Sequence, residues 1–266
     1  MAKKAILFDA TKCTGCRGCQ VACKAWNGLE AEETENNGTY ENPPDLSPQT
    51  WLKMRFTEHV DSSAPGGLAW LFTRQACMHC SVDRAGCVKV CPTGALYHHE
   101  MGFVAYDKDK CSGCGYCISA CAFGVPRAKT GGFESVRKID KCTFCADRIT
   151  NGLEPACVKT CPTGALAFGD RNRMATLGSV RVGAIKDKYP DANLYWVPYY
   201  GGVMYVLPYN HSVHDLPEDP NIPVTATLLE NVLPPLGYAA VGAVAVGLGV
   251  NYIVSRSRMN RGKEEK

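Results

Sequence analysis

All sixteen cysteines of this 266-residue chain fall into four groups of four between residues 13 and 161, and no other feature restricts its fold so tightly. The first group, Cys13, Cys16, Cys19 and Cys23, and the third, Cys111, Cys114, Cys117 and Cys121, share the frame C-x2-C-x2-C-x3-C. In that frame three closely spaced thiolates hold one iron–sulfur cube, and the fourth cysteine ligates a different one. The second group is Cys77, Cys80, Cys87 and Cys91, and the fourth is Cys142, Cys145, Cys157 and Cys161. In both, the third cysteine is set back by a short insertion. No cysteine is left over, so the set corresponds to four 4Fe-4S clusters at four thiolates each.

The grouping is also an internal duplication. Residues 13–23 (CTGCRGCQVAC) and 111–121 (CSGCGYCISAC) share one frame, and residues 87–96 (CVKVCPTGAL) and 157–166 (CVKTCPTGAL) differ at one position. Repetition of this kind indicates two copies of one supersecondary unit. The expected fold is α+β, two pseudo-symmetric two-cluster ferredoxin-like units followed by a C-terminal extension and a single transmembrane helix. In each C-x2-C-x2-C loop the backbone wraps one cube, and the next cysteine starts a short helix leading away. Pro92 and Pro162 follow the last cysteines of their groups, where a missing backbone donor does least harm. Spacing alone leaves open which groups exchange ligands.

Zinc ribbons use two well-separated C-x2-C pairs, and a tetrahedral site has no use for a third cysteine two residues on. A disulfide framework belongs to small secreted domains without a core. At 45% hydrophobic residues this chain can bury one. The formal charge of +3 does not indicate nucleic acid, because four oxidised cubes of about −2 each bring the holoprotein to roughly −5. Lys12, Lys24, Lys89, Lys110, Lys138, Lys141 and Lys159 lie in or near the ligand loops. They form either a solvated surface or a set of counter-charges that raise reduction potentials.

Beyond residue 170 the cysteines stop. Residues 171–188 read as helical or mixed. The aromatic stretch 194–209 (LYWVPYYGGVMYVLPY) reads either as a hairpin in the domain's own core or as a patch for a partner. Pro217, Pro220 and Pro223 mark residues 210–224 as an extended connector. Residues 232–254 (VLPPLGYAAVGAVAVGLGVNYIV) carry no charge and are long enough for one bilayer crossing. Ala239, Ala243 and Gly247 form a small-residue stripe suited to packing against another membrane helix. The span has no His, so it supplies no imidazole to a haem. Arg256, Arg258, Arg261, Lys263 and Lys266 follow it, whereas residues 189–255 contain no Lys or Arg. The expectation is a single-pass protein of the cell membrane, with its tail at 255–266 in the cytoplasm and its cluster domain on the periplasmic side. The N-terminus MAKKAILFDATKC does not read as a signal peptide, so export would depend on a partner that carries one.

The stretches CSGCGYCISACAFGVPR and KCTFCADRITNGLEPACVKTCPTGALAFG resemble the iron–sulfur subunit of membrane-bound formate dehydrogenases. So do CQVACKAWN, YENPPDLSPQTWLKMRF, CMHC, MYVLP and LPEDP, and the likeness covers nearly the whole chain. The broader group is the four-cluster subunits of the molybdopterin oxidoreductases. One departure is Ala122, where the family's third group usually places a proline. The resemblance implies a wiring. Cys13, Cys16, Cys19 and Cys161 would hold the first cluster, and Cys23, Cys142, Cys145 and Cys157 the second. Cys77, Cys80, Cys87 and Cys121 would hold the third, and Cys91, Cys111, Cys114 and Cys117 the fourth. Residues 1–24 with 130–170 would then be the first unit, 77–129 the second, 25–76 an insertion contacting a partner, and 171–231 the extension.

The resemblance also implies partners. A catalytic subunit with a molybdenum or tungsten pterin would face the first pair of clusters, and a membrane cytochrome b that passes electrons to quinone would face the last. The chain would have no catalytic centre of its own. The alternative keeps the wire in a thiosulfate, polysulfide, sulfoxide or nitrate reductase, with the current reversed. A membrane-tethered module built on cysteine–zinc knots is a third reading. His79 lies inside the second group and reads as a surface or packing residue, the alternative being a hydrogen bond near a cube, and His59, His98, His99, His211 and His214 have no ligand spacing.

Overall fold

The computed structural model describes residues 2–128, 138–195, 201–218 and 233–264, and the chain divides into two units, Met1–Pro223 and Val224–Lys266. The first unit is organised around a four-stranded sheet. Strand β1 (Lys4–Asp9) pairs antiparallel with β8 (Leu166–Asp170) and parallel with β10 (Val203–Leu207), and β10 pairs antiparallel with β9 (Asn193–Tyr195). The order across the sheet is β8-β1-β10-β9. Alternation sorts the side chains by face. Ile6, Phe8, Val203, Tyr205 and Leu207 join the core beneath the cysteine loops. Ala5, Leu7, Met204 and Val206 face helix α6 (Arg171–Ile185). With both faces covered, β10 is buried at every position, and each such side chain stabilises the fold by about 1.5–3 kcal/mol.

Helix α6 approaches the sheet closely. A Cβ on Gly178 would lie 2.6 Å from Leu194 Cδ1 and 3.2 Å from Leu7 Cδ1, so a larger residue there would have to displace two core leucines. The helical reading of 171–188 holds for Arg171–Ile185, and the aromatic stretch forms the β9–β10 hairpin of the core, its residues 196–200 lying outside the described set. Of the connector, residues 219–224 also lie outside it.

The duplication read from the cysteines recurs in the backbone. β4 (Leu96–His98) and β5 (Val104–Tyr106) pair antiparallel, as β8 and β1 do. β4 follows the second cysteine group and β5 precedes the third, just as β8 follows the fourth and β1 precedes the first. Equivalent hydrogen bonds close the two pairs: Asp9 N–H donates to Ala165 O (2.7 Å) and Asp107 N–H to Ala95 O (2.8 Å). Between the first and second groups runs a long hairpin, β2 (Leu52–Val60) with β3 (Leu68–Ala76). Between the third and fourth, the described residues at the matching place hold a two-residue pair, β6 (Arg127–Ala128) with β7 (Ile139–Asp140). The two units are thus one plan, elaborated unequally.

The second unit contains helix α7, Leu233–Glu264, which covers the uncharged run and continues through most of the basic tail. Among the described residues no helix is long and apolar enough to cross a membrane, so the crossing expected at 232–254 is not shown there. The described side chains of that run are 236 and 238–254. Those side chains are exposed throughout, with Leu236, Val241, Val244, Val246, Leu248, Val250 and Ile253 among them.

Candidate functional site

The cysteines sit in loops whose shape depends on left-handed backbone. In the first group Gly15 (φ 66°) and Arg17 (φ 61°) turn the chain, and Arg17 caps α1 (Gly18–Trp26). In the third group Gly113 (φ 73°) and Gly115 (φ 78°) do the same ahead of α3 (Tyr116–Ser119). Each helix begins just before the third cysteine and runs toward the fourth, rather than starting at the fourth as the spacing suggests. Cys19 and Cys23 both lie on α1. The other two groups each place their third cysteine on a short helix, Cys87 on α2 (Gly86–Lys89) and Cys157 on α5 (Ala156–Lys159). Cys145 caps α4 (Ala146–Thr150) with φ 49°.

Helix α1 packs against α5, and α2 packs against α3. The first cysteine group therefore meets the fourth, and the second meets the third. Trp26, at the end of α1, donates from Nε1 to Asp147 Oδ2 of α4 at 2.8 Å, and the Arg148 guanidinium lies 4.2 Å over its ring. The sulfurs of each meeting pair act on one another. Cys161 and Cys16 raise the pKa of Cys13, and Cys142, Cys157 and Cys145 raise that of Cys23, in both cases after the larger effect of burial. Cys121 acts on Cys77, Cys80 and Cys87, while Cys114, Cys111 and Cys91 act on Cys117.

Every cysteine is a free thiol. Burial pushes Cys19, Cys117 and Cys145 up to about 12 and Cys77 to about 11, so these thiols must lose protons when they bind iron. At Cys111 burial is outweighed by the Tyr106 hydroxyl and by backbone donors from Ile139 and Gly113, and its pKa falls below the ordinary value. Backbone N–H groups already point at the sulfurs. Gly15 donates to Cys13 Sγ at 3.5 Å, His79 to Cys77 and Phe144 to Cys142 at 3.4 Å, and Leu96 to Cys91 and Val125 to Cys121 at 3.5 Å. Loops of free thiols ringed by amide donors are what a cube requires, because such bonds stabilise its negative charge. Among the described residues no three His, Cys, Asp or Glu side chains converge to hold a single ion. A cube spreads its thiolates over four iron atoms and needs no such convergence.

Two further side chains are drawn into this core, His79, which lies inside the second group, and Arg74, which the sequence did not single out. His79 is fully buried, with Nε2 3.4 Å from Cys142 Sγ and Nδ1 3.2 Å from Val104 O, and it packs edge-on to Phe144 at 4.7 Å between centroids. It is a packing residue in contact with a cysteine, not a surface one. Arg74, on β3, is 1% exposed and is the largest fully buried side chain. Of the lysines noted near the loops, Lys141 is 1% exposed. Lys24 bonds Glu32 and the Gln49 carbonyl, and Lys110 pairs with Asp107. Gly201 and Gly202 bear on the second loop. A Cβ on Gly201 would lie 2.4 Å from His79 O, and Gly202 N–H donates to that oxygen at 3.0 Å.

The insertion leans on the first loop. A Cβ on Gly15 would lie 2.9 Å from Phe72 and 3.1 Å from Phe56, and the Arg17 guanidinium sits 4.9 Å over Phe56. Tyr40 and Trp70 continue this aromatic group outward, both about half exposed, and Cys16, next in the chain to Gly15, is exposed as well.

Comparison with known proteins identifies the same kind of cluster domain. Two models of a 4Fe-4S dicluster domain match residues 12–95 and 68–171. With sixteen cysteines, two dicluster domains amount to four 4Fe-4S clusters. The nitrate-inducible formate dehydrogenase iron–sulfur subunit of Escherichia coli K12 is 41% identical over 259 residues, 95% of this chain and 85% of that protein. The formate dehydrogenase-O iron–sulfur subunit of the same organism is 42% identical over 259 residues, 92% of this chain and 83% of its own length. The thiosulfate reductase electron transfer subunit of Salmonella typhi is 39% identical over 167 residues, 62% of this chain and 74% of that protein. Sixteen thiols, two dicluster-domain matches and 41–42% identity along nearly the whole chain place this protein in the family of formate dehydrogenase iron–sulfur subunits.

Proposed function

We propose that the chain is the relay of a membrane-bound formate dehydrogenase and that its clusters exchange ligands between groups. Cys13, Cys16, Cys19 and Cys161 hold the first cluster, and Cys23, Cys142, Cys145 and Cys157 the second. Cys77, Cys80, Cys87 and Cys121 hold the third, and Cys91, Cys111, Cys114 and Cys117 the fourth. On this wiring residues 1–24 with 130–170 form one unit and 77–129 the other. The observation that carries it is the packing of α1 on α5 and of α2 on α3, which sets Cys161 beside Cys13 and Cys121 beside Cys77. Once bound, the clusters supply one-electron redox sites whose potentials answer to nearby charge and hydrogen bonding. The chain's own part is to fix their spacing and to bury or half-bury every thiolate but those of Cys16 and Cys114, which are exposed.

The aromatic group at the first loop suits docking of a catalytic subunit with a molybdenum or tungsten pterin that oxidises formate, since Tyr and Trp favour interfaces. Cys114 then faces a membrane cytochrome b, through which electrons reach quinone. Helix α7 is the single membrane anchor. In support, residues 232–254 carry no charge, and the described apolar side chains of α7 are exposed around the helix, which a helix resolves by entering lipid or packing on another apolar helix. The basic residues after it favour a cytoplasmic tail and a periplasmic cluster domain.

The likeness to a thiosulfate reductase subunit supports a second reading, the same wire in a reductase with the current reversed. Purifying the chain from its host under mild detergent and identifying the large subunit that accompanies it separates the two. A pterin-binding subunit, with formate-dependent reduction of a dye by the complex, is the expected result. A complex that draws electrons from quinol to thiosulfate and is inert to formate would overturn it.

A further inference from the structure

A fully buried cation is costly unless something fixed and negative faces it. Among the described residues this domain buries three, and whereas Lys53 pairs with Glu41, Arg74 and Lys141, each 1% exposed, form no ion pair with a carboxylate. Arg74 leaves its Nε and Nη1 without a hydrogen-bond partner, and the Tyr205 hydroxyl donates to its backbone oxygen at 2.9 Å, tying β3 to the central sheet. The charge of Arg74 bears on Cys19, Cys23, Cys142 and Cys157, which belong to the first two proposed ligand sets. Lys141 is held by the carbonyls of Val104 (2.8 Å) and Cys142 (2.9 Å), and its charge bears on Cys77, Cys80 and Cys87 of the third set. In the fourth set Cys117 is acted on by cysteines, and Cys111 is relieved by Tyr106 and by Lys138, a lysine at the surface.

We propose that Arg74 and Lys141 are fixed counter-charges that divide the relay, Arg74 favouring the reduced form of the first and second clusters and Lys141 that of the third. The two unpartnered guanidinium nitrogens, Nε and Nη1, are the informative feature. Met54, paired with Arg74 across the β2–β3 hairpin, has its sulfur 3.6 Å from Cys19 Sγ, and low surrounding polarity leaves the guanidinium's field poorly screened. Both residues act on the clusters without ligating them, so they set potentials rather than cluster number.

The inference rests on the ligand sets above, which cysteine replacement tests separately. If those sets are wrong, removal of Arg74 still shifts two clusters, but a different two.

The test is an EPR-monitored redox titration of the whole complex carrying Arg74→Gln, Arg74→Lys or Lys141→Met. Arg74→Gln is expected to cost the first and second clusters at least about tenfold in their reduction equilibrium, ~59 mV for one electron, and to leave the third and fourth in place. Arg74→Lys should recover most of that loss, and Lys141→Met should displace the third cluster alone. Equal movement of all four clusters, no movement, or a lysine variant as displaced as the glutamine one would overturn the proposal. If Arg74→Gln fails to retain clusters, the wild-type complex labelled with 15N-arginine decides by ENDOR. Nitrogen coupling on the second cluster's signal is expected, and its absence refutes the assignment.

Discussion

Cys161→Ala is expected to empty the cluster of Cys13, Cys16 and Cys19, far away in sequence, and to spare the one held by its neighbours Cys142, Cys145 and Cys157. The reason is geometric. Cys161 follows α5, α5 lies against α1, and Cys161 is among the charges acting on Cys13 and Cys19. Loss of one ligand in four should lower iron from about sixteen to about twelve atoms per chain and remove one of four reducible EPR signals. The duplication supplies a matched control. Cys91 and Cys161 each meet a threonine two residues on, Thr93 and Thr163, with Sγ and Oγ1 3.8 Å apart in both cases. Cys91→Ala should therefore remove the cluster of Cys111, Cys114 and Cys117. Loss of the Cys142, Cys145 and Cys157 cluster on replacing Cys161 would show that the groups do not exchange.

Removing residues 233–264 should free the chain from the membrane while its clusters stay intact. Cluster ligation lies wholly in Met1–Pro223, and the removed helix contains no cysteine. After an alkaline carbonate wash, which strips subunits held only by contact, the full chain should remain with the pelleted membranes. The truncated one should move to the supernatant by more than about tenfold in the ratio, ~1.4 kcal/mol or greater in membrane affinity. Truncated chains that pellet as completely as full-length ones would show that α7 is not the anchor.

Much of the site is written into the cysteine spacing, because the ligands of an iron–sulfur cluster must come from tight loops and tight loops have short, countable separations. The duplication is legible for the same reason, and it reappears as paired strands and matched hydrogen bonds. Burial is harder to read. Lys141 adjoins a ligand and is visible in sequence, yet nothing there distinguishes it from Lys110, which pairs with a surface aspartate. Arg74 is hidden in the strand LAWLFTRQA, where it shares a strand face with Phe72 and Ala76. A charged residue on that face, three residues before a ligand, was the available signal. His79 follows the same logic, since its burial depends on Gly201 and Gly202, more than a hundred residues away, closing over the loop. The aromatic stretch 194–209 offered two readings because period alone does not tell whether the second face of a strand is covered, and α6 is what covers it.

Iron, acid-labile sulfide and EPR on the anaerobically purified complex test the central claim most directly. About sixteen iron atoms per chain, with four paramagnetic signals appearing on reduction, are the expected result for four 4Fe-4S clusters. Far fewer iron atoms, or zinc in their place with no reducible signal, would contradict it.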